Sequence, residues 1–307
     1  MLIGVAVLLL LLAGGGCAHN TTAHENIVYS TAGPRDQQLT IFTPRAEAEA
    51  ARPCVLLVHG GAWIFGSRHQ LRWYGRRLAE AGYVTAAMSY RKLPRHNFLD
   101  SVHDAKAAVR WLRLHADVYD IDPARIAALG NSAGGYLVGM LAATGDEPAF
   151  AGDQNHGPSD AIRAAVVLYG ALDLSVYRDP ESWIRVGGLA RRIVKRYVRD
   201  GFDVGGDAFA AASPINYLGP DTAPMLLLTG THDSLVPFEV ARDAYTRLYT
   251  HGVPVRWVQF RGRGHAFDYF YPRLRHDVLG YVLQFLDTHL VGGESAAGMA
   301  GGETSHG

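Results

Sequence analysis

Cysteine is almost absent. Cys17 and Cys54 are the only two in 307 residues, which excludes a disulfide-built scaffold and any zinc site made from cysteine pairs. Cys54 leads into an apolar run and reads as a small buried side chain. Missing too are the His-Glu-x-x-His of a zinc protease and the Gly-Lys-Ser/Thr ending of a phosphate loop, so no metal or cofactor is called for. Net charge is lacking as well. The 29 basic residues balance 29 acidic ones, which removes the electrostatic case for nucleic acid as a partner. No internal repeat is present.

Long hydrophobic runs are also few. Leu2 to Ala13 is apolar but short for a membrane span. Gly14-Gly15-Gly16-Cys17-Ala18 follows it, and an apolar stretch closed by small residues is the pattern of an export signal over residues 1–18. Cys17 sits where a lipid-attachment cysteine would, so the expectation includes an exported protein, periplasmic or extracellular, held to a membrane through this segment.

What is present is a folding sequence, 48% hydrophobic and 19% charged. Residues 19–26 read as a polar linker and 291–307 as a structureless tail. Between them, apolar runs alternate with helical periodicity. Strands are expected at Ile27 to Tyr29, Gln38 to Phe42, Cys54 to Val58, Tyr83 to Tyr90, Arg125 to Leu129, Ala164 to Leu168, Pro224 to Gly230 and Val255 to Phe260. Helices are expected over Leu71 to Ala81, Asp100 to Tyr119, Phe238 to His251 and Tyr271 to Leu290. This alternation predicts a mostly parallel, doubly wound α/β sheet, whose ligands bind beyond the carboxyl ends of the strands. Residues 174–218 break the alternation with arginines interleaved among apolar residues, and read as a helical cap insertion.

Gly130-Asn131-Ser132-Ala133-Gly134 lies between a buried strand and a helix. A sharp turn there holds the serine hydroxyl clear of the backbone at a helix N-terminus, where developing negative charge is favoured. Serine oxygen needs a base. His265, in the glycine-flanked loop after the last strand, is the candidate; His251 and His276 fall in helices. Asp233 follows the preceding strand directly and is the candidate to orient that imidazole, in the order Ser, Asp, His. An oxyanion needs N–H donors, and Gly60, Gly61 and Ala133 are expected to supply them. His59 reads as ordering that loop, and Trp63 as a wall of the substrate pocket.

The chain resembles the α/β-hydrolase superfamily, in particular the bacterial esterase/lipase branch with a His-Gly-Gly loop, alongside carboxylesterases and formamidase-like members. The resemblance covers about Ile27 to Leu290 and rests on several motifs together. Besides the elbow and His59-Gly60-Gly61 they are Ser89-Tyr90-Arg91-Lys92-Leu93-Pro94, the Asp104 to Leu112 helix, and Ile121-Asp122-Pro123-Ala124-Arg125-Ile126. It implies cleavage of small-molecule carboxylic esters through an acyl-enzyme. The same residues also suit an amidase or peptidase, or a fold kept for binding alone. Two positions depart from the branch: Ala62 replaces a third glycine, and Asn131 stands where an acidic residue is frequent.

Overall fold

The computed structural model of the chain describes residues 20–178, 187–199 and 207–292, and the backbone of 303–306. The expected export signal, with Cys17, lies outside the described residues. In chain order the elements are β1 (Thr21–Ser30), β2 (Gln37–Pro44), β3 (Arg52–Val58), α1 (Arg72–Glu80), β4 (Val84–Met88), α2 (Phe98–Leu114), β5 (Ile121–Asn131) and α3 (Ala133–Ala143). There follow β6 (Ala164–Leu168), α4 (Gly188–Val198), α5 (Ala208–Ala211), β7 (Met225–Gly230), α6 (Phe238–Thr250), β8 (Val255–Phe260), α7 (Phe267–Phe270), α8 (Pro272–Leu286) and β9 (Glu303–His306).

The strands form one sheet in the order β1-β2-β4-β3-β5-β6-β7-β8-β9. β1 and β2, and β2 and β4, pair antiparallel; every later pair is parallel. The continuous apolar character of β3 follows from this, because its two faces supply two separate cores. Cys54, Leu56 and Val58 join α2, α3 and α6 on one side, while Val55 and Leu57 meet α1 and α8 on the other. Helix α2 starts two residues before the expected Asp100. Asn97 caps it, accepting from the Leu99 and Asp100 N–H groups while Asp100 accepts from the Asn97 N–H.

Two expectations change. From Thr21 on, the polar stretch read as a linker is the first part of β1, because an antiparallel edge strand buries only part of one face and tolerates polar residues on the other. Its direction is set by register: Thr21 lies beside Pro44, whereas Leu39 and Val58 both lie beside Met88. The chain therefore enters at the end of the sheet remote from the carboxyl end of β3. Within the supposed structureless tail, Glu303–His306 pairs in parallel with β8; the other residues after Gly292 lie outside the described residues. The cap segment is helical in pieces. Only Val194, Tyr197 and Val198 of α4 are buried, and residues 179–186 and 200–206 lie outside the described residues.

Candidate active site

β5 delivers the chain to Ser132, whose φ of 53° and ψ of −120° lie in a region that side chains rarely adopt. Such a turn leaves no room beside it. A Cβ on Gly130 would sit 2.4 Å from the Gly134 carbonyl oxygen, and one on Gly134 would sit 2.0 Å from that of Val58. The Ser132 N–H donates to the Leu168 carbonyl at 2.9 Å, which anchors the turn to β6.

The structure brings three of the expected residues into one row. Ser132 Oγ lies 2.8 Å from His265 Nε2, and His265 Nδ1 lies 2.7 Å from Asp233 Oδ2. Asp233 is itself fixed, since its Oδ1 accepts from the N–H groups of Leu235 at 2.8 Å and Val236 at 2.9 Å. Its side chain is 2% exposed. A carboxylate can only accept, so Nδ1 carries the imidazole proton and Nε2 is left to receive one from the serine. The Tyr169 ring packs at a steep angle against the His265 ring, with centroids 4.8 Å apart.

The His59-Gly60-Gly61 loop, expected to supply oxyanion donors, differs from expectation. The Gly60 N–H donates to Asn131 Oδ1 at 2.8 Å, so it is not available to a substrate oxygen. By contrast, the N–H groups of Gly61, Ala62 and Ala133 have no acceptor among the described residues. Gly61, Ala62 and Trp63 have φ of 118°, 53° and 55°, and the loop is closed by the Ile64 and Phe65 N–H groups donating to the Gly61 carbonyl. His59 orders it from below. Its Nδ1 donates to the Gly60 carbonyl at 2.6 Å, and its ring stacks on Tyr90 at 4.4 Å. Burial pulls the His59 imidazole down to about 3, so it stays neutral. The Tyr90 hydroxyl donates to the His59 carbonyl, and Arg91 pairs with buried Asp104 on α2. Three motifs noted separately in the sequence are thus one support.

Trp63 is not an open wall. It is 4% exposed, stacked on Tyr197 of α4 at 4.3 Å and set edge-on to Tyr136 of α3 at 5.4 Å. It joins the His59-Gly60-Gly61 loop to α4. Sequence reasoning also passed over Asp268, which is 4% exposed and accepts from the hydroxyls of Tyr169 at 2.6 Å and Tyr74 at 2.8 Å. Its position three residues after His265 was the available signal. A cleft of about 150 Å³ lies beside the elbow, bounded by Gln70, Trp73, Asn131, Tyr169, Asp268 and Arg275 among others. No group of three or more His, Cys, Asp or Glu side chains among the described residues is placed to hold a metal ion.

The BD-FAE family model matches residues 39–248, which include the His59-Gly60-Gly61 loop, Ser132 and Asp233. The chain belongs to the BD-FAE family of α/β-hydrolases. The esterase LipC of Mycobacterium tuberculosis is 30% identical over 257 residues, covering 83% of this chain and 62% of LipC. LipM of the same organism, a probable carboxylic ester hydrolase, is 31% identical over 271 residues, with 83% and 62% covered. The chain therefore spans about three-fifths of the length of these relatives. Among solved structures, the propionate-bound esterase 2 of Thermogutta terrifontis is similar with a TM-score of 0.73 and 29% identity, over 87% of this chain and 94% of that one.

Proposed function

We propose that the protein hydrolyses carboxylic esters through an acyl-enzyme. The observation that carries this reading is the hydrogen-bonded row from Asp233 through His265 to Ser132, assembled from the ends of separate strands. His265 Nε2 takes the hydroxyl proton as Ser132 Oγ bonds to the ester carbonyl carbon, and the carbonyl electron pair moves onto oxygen. Asp233 holds the imidazolium that forms. The N–H groups of Gly61, Ala62 and Ala133 face the oxyanion, the first two in place of the engaged Gly60. The pair then returns, the bond to the alcohol oxygen breaks, and His265 gives that oxygen the proton. Water, deprotonated by His265, attacks the acyl carbon in turn and releases the acid with Ser132 restored.

The names of LipC and LipM and the propionate in the T. terrifontis enzyme support this reading, and point to short acyl groups as the first substrates to try. Ser132→Ala is expected to lower turnover of p-nitrophenyl propionate by about 10⁴-fold or more with an unaltered circular dichroism spectrum. Retained turnover would reject the reading, and faster cleavage of the matched anilide than of the ester would make the protein an amidase. The same proposal takes residues 1–18 as an export signal with Cys17 as the lipid-bearing residue, on sequence pattern alone. No helix among the described residues is long and apolar enough to cross a membrane. The mass of the N-terminal peptide from cell-derived protein decides between a cleaved, a lipid-bearing and an intact end.

A further inference from the structure

Asn131, the residue before the nucleophile, faces different partners with the two ends of its carboxamide. The Gly60 N–H can only donate, so the atom it meets at 2.8 Å is Oδ1. Nδ2 then faces the Tyr169 hydroxyl at 3.3 Å. That oxygen is free to accept because its single proton goes to Asp268 Oδ1, at 2.6 Å. Tyr74 on α1 donates to the other oxygen of Asp268 at 2.8 Å. The result is a chain of hydrogen bonds with one direction, from the amide of Asn131 to the carboxylate of Asp268. It ties the oxyanion loop, the elbow, the end of β6 and the loop carrying His265 into one unit. Tyr169 is the central member, 1% exposed, with its ring against the His265 ring. Burial, reinforced by the Asp268 charge, pushes its hydroxyl well above the ordinary phenol range, so it remains a donor.

We propose that Asn131 is a positioning residue for ester hydrolysis: by accepting from Gly60 and donating to Tyr169 at once, its carboxamide fixes the oxyanion donors relative to His265. The inference rests on the hydrolase reading above. It explains why an amide stands where the resembling branch often has an acid. An ionised carboxylate would still hold Gly60, but would meet the Tyr169 oxygen lone pair to lone pair, because Tyr169 has already committed its proton. A protonated carboxyl has both capacities and imitates the amide.

Asn131→Asp therefore carries a pH signature. The introduced carboxyl would face Tyr169 at the end of β6, Asp268 on α7, Tyr74 on α1 and Arg275 on α8 across the cleft. His265 and Asp233 lie beyond Tyr169, and neutral His59 lies behind Gly60. Partial burial and two neighbouring carboxylates, set against the one Arg275 guanidinium, oppose a further negative charge, which favours the protonated form as the pH falls. The ratio of variant to wild-type kcat, taken at each pH, cancels the titration of His265 common to both.

The experiment measures kcat and KM for p-nitrophenyl propionate between pH 5 and 8, with Ser132→Ala as the blank. At pH 8, Asn131→Asp is expected to lose roughly tenfold or more in kcat with KM changed less than about twofold, since an oxyanion donor misplaced costs transition-state rather than ground-state binding. The ratio should climb toward one as the pH is lowered. Asn131→Ala should show a similar loss at every pH, with no recovery. Tyr169→Phe, which keeps the ring beneath His265, should lose kcat alike and combine non-additively with Asn131→Ala. A wild-type kcat in Asn131→Asp and Tyr169→Phe, a change in KM alone, or a fall in thermal midpoint with kcat unaltered would overturn the proposal. Wild-type protein inactive toward esters would overturn the hydrolase reading and this inference together, whereas active wild type with indifferent variants overturns the positioning role only.

Discussion

Helices α3 and α4 have the same length, eleven residues, and opposite surroundings. Ten residues of α3 are buried, from Ala133 to Ala142, whereas α4 buries only Val194, Tyr197 and Val198. The first is wedged between sheet and helices at the point where Ser132 turns. The second lies on the molecule along one seam, where Tyr197 stacks on Trp63. A helix that starts at the Ser132 turn has its position over-determined by backbone on all sides. A helix laid on the surface keeps its place with few contacts and leaves its arginine-rich face to solvent. Sequence change is therefore expected to be severe in one and mild in the other.

The hardest test of that contrast is Gly134→Ala. The new methyl carbon would lie 2.0 Å from the Val58 carbonyl oxygen, a backbone atom of the central sheet that cannot yield locally. A loss of about 3 kcal/mol or more in urea unfolding is expected; a loss under 1 kcal/mol would dissolve the contrast. Next in size is a pH effect confined to the buried side. His59 is neutral in the folded protein down to about pH 3, while an unfolded histidine protonates near 6.5. Between those values the unfolded chain binds the extra proton, so stability is fully present above about pH 6.5 and falls as the pH drops. About 2 kcal/mol should be lost at pH 5 relative to pH 8, and His59→Gln should remove that part of the slope. Smallest is Gly188→Ala at the start of α4, where an added Cβ meets nothing within 4 Å. Its effect should stay within about 0.5 kcal/mol of zero by thermal denaturation, with any gain coming from helix propensity. A larger loss would mean that α4 is held more tightly than its exposed face suggests.

The same contrast governs what could be read from the chain. The central strands were legible because burial on both faces demands continuous apolar residues, as in Val55 to Val58. Ser132, Asp233 and His265 were legible because each follows a strand and has a chemistry that few residue types share. The polar start of β1 was not, since an edge strand paired on one side leaves little apolar signal. Gly60 misled for a different reason: which amide stays free depends on the Asn131 side chain, 71 positions further along the chain. Trp63 failed likewise, because only folding sets Tyr197 over its ring. Hydrogen bonds between distant loops leave no periodicity behind them.

The direction of β1 bears on how this protein could be handled. The first described residues leave the sheet beside Pro44, at the end opposite the one from which Val58 leads into the oxyanion loop. A bead, tag or neighbouring surface that holds the chain at Asn20 would hold it by the base of the sheet, with Ser132 at the opposite end.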